Sequence, residues 1–325
     1  KMGPLDRAVL DYMHGTMSRD DRKAREAALL AARLAGESHW PFDAAVRLLG
    51  MNMAAEAADE LMVLDPHRGA MRGWFPLHYY LTIALHKNQD YELELEKAER
   101  AATEFPGMIS AATMVLRALI ANGKIREADS TALQIPSYPP FFGVTPAGAL
   151  AEAASEAYWH DQSDLGDRLV EAAVGWSGSG TPKEGSGTVA LRVHLLADSL
   201  DKARDIADDL LERRPESVSV HGYSGIVGAR RHDIERVLRE TEWLQNDARP
   251  YQFGRPQYWL AAIAAWSGRR EEAVVHLRTA LSEGMSFSWP GPLNHSDSRL
   301  RPLWNYEPFK ELMKPRTRSA GPRNP

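Results

Sequence analysis

Apolar residues along this chain recur at helical spacing, and the recurrence itself repeats. The clearest copy lies late in the sequence. Gln257 to Trp266 is mostly apolar and built from good helix formers, and Ser267-Gly268-Arg269 breaks the run. Ala273, Leu277, Ala280 and Leu281 then fall at i, i+4, i+7 and i+8, one face of a second helix. Gly284 stands where a C-cap belongs. The same pattern predicts a helix from Ile109 to Ala121, a break at Asn122-Gly123-Lys124 and a helix from Ile125 to Gln134. It predicts another pair over Leu77–Lys87 and Tyr91–Glu104, broken at Asn88-Gln89-Asp90. Weaker copies turn near Asp20, Met51, Gln162, Ser199 and His232. First to last, the eight turns span 248 residues, a mean interval of about 35, the length of a helical-hairpin repeat. Pro4, Pro41, Pro76, Pro146 and Pro256 precede or open first helices, where a missing N–H costs nothing, and Pro66, Pro106 and Pro215 follow second helices.

Strand signals are nearly absent. No polar/apolar alternation persists, and the one Asn-Gly pair, Asn122-Gly123, lies between helical patterns. The expected fold is all-α. Two stretches stand outside the pattern. Ser177 to Gly187 has the Gly/Ser composition of a linker and is the place where a sub-boundary is expected. Lys314 to Pro325 reads as a disordered basic tail. Between them, 284–313 lacks a full hairpin but carries Leu293, Leu300, Leu303, Trp304, Phe309 and Leu312, so it is expected to fold back as a cap over the last helices. The domain reading is one array over 1–313 followed by a tail at 314–325.

With Leu260, Ala261, Ala264, Gly268, Ala273, Leu277 and Ala280 at its small or apolar consensus positions, the chain resembles the tetratricopeptide repeat family. Tyr91, Ala98, Ala101 and Pro106 fit an earlier copy, in which Glu94 replaces an expected small residue. The resemblance implies a right-handed superhelical solenoid of about eight helical hairpins with a C-terminal cap. Its first helices would line a concave groove that takes a protein or peptide. Leu64 to Trp74 and Asp297 to Leu312 are similar to segments of repeat regions attached to bacterial serine/threonine protein kinases and transcriptional regulators. That implies a module of a multidomain signalling protein.

Composition narrows the functional classes. A net charge of −5 argues against gripping nucleic acid. The absence of cysteine excludes disulfides, Cys-ligated zinc and thiol catalysis. No apolar run reaches membrane-spanning length, and the first residues lack a secretory signal core. These features favour the cytoplasm, with an extracytoplasmic place left open. The motifs of chemistry are near misses. Gly180 to Ser186 has phosphate-loop glycines without the lysine, and Gly185 to Ala190 has a dinucleotide fingerprint with no strand before it. Gly222-Tyr-Ser224-Gly225 lacks the final spacing of a nucleophile elbow. The eleven histidines include no His-Glu-x-x-His pair, and most of the nine tryptophans read as packing residues. No catalytic residue, cofactor or metal is expected.

Projected onto the groove-facing positions of the resemblance, the candidate binding residues are Tyr79, His86, Lys87, Arg117, Glu156, His160, Arg192, Arg230, Tyr258 and Trp266. The expected function is a non-catalytic protein- or peptide-binding scaffold or sensory module. Two other classes remain: an α/α-toroid hydrolase or lyase using groove carboxylates, and a peptide-pheromone receptor whose DNA-binding head would lie elsewhere.

Overall fold

The structure, a computed structural model, describes residues 2–141, 143–177, 187–287 and 295–316. Most of the Gly/Ser-rich stretch, with its phosphate-loop and dinucleotide near misses, lies outside these residues, as do Leu293 of the expected cap and most of the expected tail. The fold is all-α, with a lone bridge between Phe141 and Val144 and no strand among the described residues. None of these helices is long and apolar enough to cross a membrane. Two compact units divide the chain, and the division falls between Pro106 and Gly107.

Unit 1 takes the described residues up to 106 with 286–287 and 313–316. It holds three helical hairpins: α1 (Pro4–Met17) with α2 (Asp21–Ala35), α3 (Trp40–Gly50) with α4 (Ala54–Met62), and α5 (Phe75–Lys87) with α6 (Tyr91–Glu104). Phe42, Leu49, Leu61, Leu77 and Leu85 form its core, joined by Met71 from the loop before α5. The Leu64–Trp74 segment thus has a packing role: Trp74 meets Phe42 with ring centroids 4.5 Å apart. Asn52 holds the start of the expected tail, donating through Nδ2 to the Lys314 carbonyl at 2.9 Å and accepting from the Arg316 amide at 2.7 Å.

Unit 2 takes 107–285 and 295–312. Its five hairpins are α7 (Ile109–Ala121) with α8 (Ile125–Gln134), α9 (Pro146–Trp159) with α10 (Ser163–Ser177), α11 (Gly187–Leu196) with α12 (Leu200–Arg213), α13 (Val218–Arg231) with α14 (Ile234–Gln245), and α15 (Arg255–Trp266) with α16 (Arg270–Ser282). A 3₁₀ helix (Ser298–Leu303) and α17 (Glu307–Met313) follow. First and second helices differ in kind. α13 buries eleven of its fourteen residues, whereas α14 buries only Arg236, Glu240 and Leu244. A helix apolar on most sides is an inner element, and one with a single stripe is an outer one. Close approach sets Gly222 and Gly225: a Cβ there would lie 2.0 Å from Trp259 and 2.3 Å from Ile263 of α15. The near miss of a nucleophile elbow is therefore a packing motif, and Ser224 is fully buried, donating to Glu240.

All eight expected turns are found, and they share one backbone device. Each carries one left-handed residue: Arg19, Asn52 and Gln89 in unit 1, and Gly123, Asp161, Asp198, His232 and Gly268 in unit 2. The next amide donates to the carbonyl five residues back, as Asp90 does to Leu85 at 2.9 Å and Arg269 to Ala264 at 2.9 Å. This is the Schellman closure, which satisfies helix-end carbonyls and reverses the chain within three residues.

Candidate functional site

In unit 2 the chain's own C-terminal segment lies against the first helices. Residues 295–304, the strap, begin at His295, whose ring sits 5.0 Å from Trp159 of α9. Asp297 accepts the Tyr258 hydroxyl and the Arg299 backbone amide and Nε, and its carbonyl accepts Trp304 Nε1 at 3.2 Å. Trp266 Nε1 donates to the Arg299 carbonyl at 2.9 Å. The Arg301 guanidinium lies 4.3 Å from the Tyr158 ring centroid. Leu300 and Leu303 are fully buried. The strap thus crosses α9 and α15, inner helices whose faces the sequence offered to a partner.

A pocket lies beside the strap. Arg192, Leu195 and Leu196 of α11, Tyr223, Ile226 and Arg230 of α13, Trp266 of α15, and Ser298, Arg299 and Arg301 of the strap line it. Its free volume of about 20 Å³ admits one water-sized group. Four guanidiniums converge here, and three have acidic partners. Arg192 faces Glu152 at 3.6 Å, Arg230 faces Asp198 at 2.7 Å, and Arg299 faces Asp297 at 2.7 Å. Among the described residues, Arg301 has aromatic partners and no carboxylate within ion-pair reach. Burial pushes the Arg230 guanidinium below its usual range, Asp198 opposes the shift, and the Arg301 charge adds to it. Arg230 also stacks on Trp266, 4.5 Å from the ring centroid. Among the described residues the pocket is a cationic, aromatic-walled socket with one surplus positive charge.

Of the ten residues expected to bind, Arg192, Arg230 and Trp266 meet in this pocket. Tyr258 is interior, 1% exposed. Glu156 and His160 sit one turn apart on and just after α9, with Nε2 of His160 2.9 Å from Glu156 Oε1. Arg117 is half-buried on α7. In unit 1, Tyr79 packs edge-on to Tyr80, and buried His86 meets Glu94 through Nδ1 at 2.7 Å. Arg299 and Arg301 were not among the sequence candidates because they lie in a short 3₁₀ helix outside the hairpins, more than thirty residues beyond α15's start. The alternation of Arg with apolar residues from Arg299 to Leu303 was their one local signal.

Lys87 is a buried ammonium within unit 1: Nζ donates to the Phe287 carbonyl at 2.8 Å and lies 5.3 Å from the Phe287 ring centroid. Burial pushes its pKa down to about 8. Between that value and the unfolded-chain value near 10.4, the unfolded state binds more protons, so this residue makes stability rise with pH across that window. Lys87→Met is expected to stabilise the protein by about 1–2 kcal/mol at pH 7, net of the lost hydrogen bond. Urea unfolding of both proteins should show the gain shrinking from pH 7 to pH 10.

No protein-family model matches the chain, and no curated protein matches it. Among solved structures, the crystal structure of a tetratricopeptide repeat protein from Parabacteroides merdae is similar over 96% of this chain and 98% of its own, at 12% identity and a TM-score of 0.42. At that level the likeness bears neither on a ligand nor on an activity, and the fold described above stands on the chain's own helices and turns.

Proposed function

We propose that the chain is a non-catalytic protein-binding module, and that unit 2 takes an acidic group of a peptide or protein partner at the Arg230–Arg301 mouth beside Trp266. One observation carries this reading: Arg301 faces the pocket with no carboxylate to neutralise it among the described residues, next to a second guanidinium already disfavoured by burial. An incoming carboxylate would relieve that repulsion and accept two-pronged hydrogen bonds from a planar fork. The free volume suits one oxyanion edge and no larger group. The groove reading from first-helix spacing supports the same face, as Arg192, Arg230 and Trp266 come from three successive first helices. A role in a bacterial signalling system rests on the sequence resemblance of Leu64–Trp74 and Asp297–Leu312.

The test is a random-peptide display selection on the whole chain, followed by fluorescence anisotropy with the enriched sequences. Selected peptides should be rich in Asp and Glu. Arg301→Ala and Arg230→Ala should each weaken binding by about 1–3 kcal/mol, with binding falling as salt rises. Peptides without acidic enrichment, or affinities indifferent to both substitutions, would place the binding face elsewhere.

A further inference from the structure

The guanidiniums of the pocket beside the strap are not equally served. Arg230 donates through Nη1 to the Leu195 carbonyl and through Nη2 to Asp198 at 2.7 Å. Arg299 donates through Nε to Asp297 at 2.7 Å. Arg192 donates through Nη2 to the Gly148 carbonyl at 2.9 Å, and its Nη1 faces Glu152 at 3.6 Å. The Arg192 Nε–H, however, is buried and has no acceptor among the described residues. A buried donor left so costs its full desolvation, and one acceptor in the pocket would remove that cost. Arg301 adds a charge that no carboxylate among the described residues balances. Leu195, Leu196, Tyr223, Ile226 and Trp266 make the rest of the wall apolar or aromatic. A free volume of about 20 Å³ puts whatever enters against this lining.

We infer that this pocket is a binding site for a free monovalent halide, chloride above all, which accepts from Arg192 Nε and balances the Arg301 charge. The ion must be negative, since the surplus charge repels any cation. It must be small, which shuts out phosphate and sulfate. It must also give up water to enter, because the apolar walls offer nothing in exchange. Larger halides are less firmly hydrated, so bromide should bind at least as well as chloride, and fluoride poorly. A partner's carboxylate has to displace the ion to reach the same guanidiniums, so chloride regulates the mouth by competition. The ion site stands on the pocket alone; the competition rests on the reading of that mouth as the seat of an acidic partner.

The experiment places the whole chain in sodium gluconate, whose anion is too large to enter, and titrates sodium chloride at constant ionic strength. Chloride NMR line width should report one saturable site of millimolar affinity, emptied by bromide and untouched by fluoride. Crystals grown in bromide should show an anomalous peak between Arg192 and Arg301. Arg301→Gln, which removes the charge, and Arg192→Lys, which keeps it without the Nε–H, should each weaken the ion by about tenfold. Arg204→Gln on the exposed side of α12 should leave it unchanged. Should a variant misfold, the bromide peak on the unmodified chain still decides. Line broadening that does not saturate, no bromide peak at this place, fluoride binding as well as bromide, or affinity that survives both substitutions would overturn the ion site. Acidic peptides from the display selection should bind more weakly in chloride than in gluconate at equal ionic strength, where general screening is the same. Equal peptide affinity in the two salts would overturn the competition. A saturable halide site with no acidic peptides selected would sink the partner reading alone, and acidic peptides without a halide site would sink the ion alone.

Discussion

Ending the chain at Gly284 is expected to unfold or aggregate unit 2, whereas ending it at Arg316 keeps every contact described above. The strap and α17 bring Leu300, Leu303, Trp304 and Phe309 into the interior, three of them at 0% exposure and Trp304 at 7%. At about 1.5–3 kcal/mol for each buried side chain, their removal costs roughly 6–12 kcal/mol as an upper bound. Ordering the segment opposes that gain with a conformational-entropy cost at least as large. The helix faces left behind make the balance worse. Tyr258 and Trp266 lose the partners of their hydroxyl and indole N–H, each worth about 1–3 kcal/mol where the orphaned group stays buried. An ordinary domain is stable by only about 5–15 kcal/mol, so newly exposed apolar faces and two orphaned polar groups are enough to threaten the fold of unit 2. Size-exclusion chromatography and thermal unfolding of the two truncations check it. Leu303→Ala with Phe309→Ala confines the change to unit 2 and should destabilise in the same direction. A monomeric, equally stable chain ending at Gly284 would mean that the strap adds nothing to the interior.

The turns were legible for a physical reason. A hairpin must interrupt two apolar patterns within three residues, and polar or small residues mark the interruption whichever side chain takes the left-handed position. Only Gly123 and Gly268 announce that position by their chemistry; Arg19, Asn52, Gln89, Asp161, Asp198 and His232 accept it at about 1–2 kcal/mol each. A search for glycines alone would have found two hairpins of eight. The prolines were legible for a similar reason, since Pro4, Pro41, Pro76, Pro146 and Pro256 all stand within the first two positions of a helix.

The site was legible only in part. First-helix spacing led to Arg192, Arg230 and Trp266, because residues on one helix face follow from the period. It could not say that α15 is buried almost all round, which takes Tyr258 inside. Nor could it place the strap, whose position is decided by long-range hydrogen bonds such as Tyr258 to Asp297 and Trp266 to Arg299. Those bonds leave no periodic trace. The arginine pocket depends on strap residues, so it became visible only in three dimensions.

Glu240→Ala is expected to destabilise the protein by about 3–5 kcal/mol, because a buried carboxylate serving several donors leaves them uncompensated when it is removed. Glu240 is 1% exposed on α14. His221 Nδ1 meets it at 2.6 Å, the Ser224 hydroxyl donates at 3.0 Å, and Arg239 donates through Nε and Nη2 at 3.1 and 2.9 Å. Trp243 closes over His221 with the rings 3.6 Å apart and nearly parallel, so the imidazole cannot swing out to water without unstacking. Burial pushes the Glu240 carboxyl up. The bonds from His221, Arg239 and Ser224, with the attraction of His221, pull it further down, and it ends below its usual range. The linkage follows from that sign. A carboxylate whose folded pKa is depressed contributes stability that is fully present above the unfolded-chain value near 4.3, and that is lost as pH falls through the lower folded value. Urea unfolding from pH 7 down to pH 3 should therefore show the wild-type protein losing stability in acid faster than Glu240→Gln, which keeps the shape and one acceptor without the charge. The gap between the two should be widest at pH 7 and close as the carboxylate is protonated. Parallel acid profiles for the two proteins would mean that the Glu240 charge contributes nothing to holding α14 against α13.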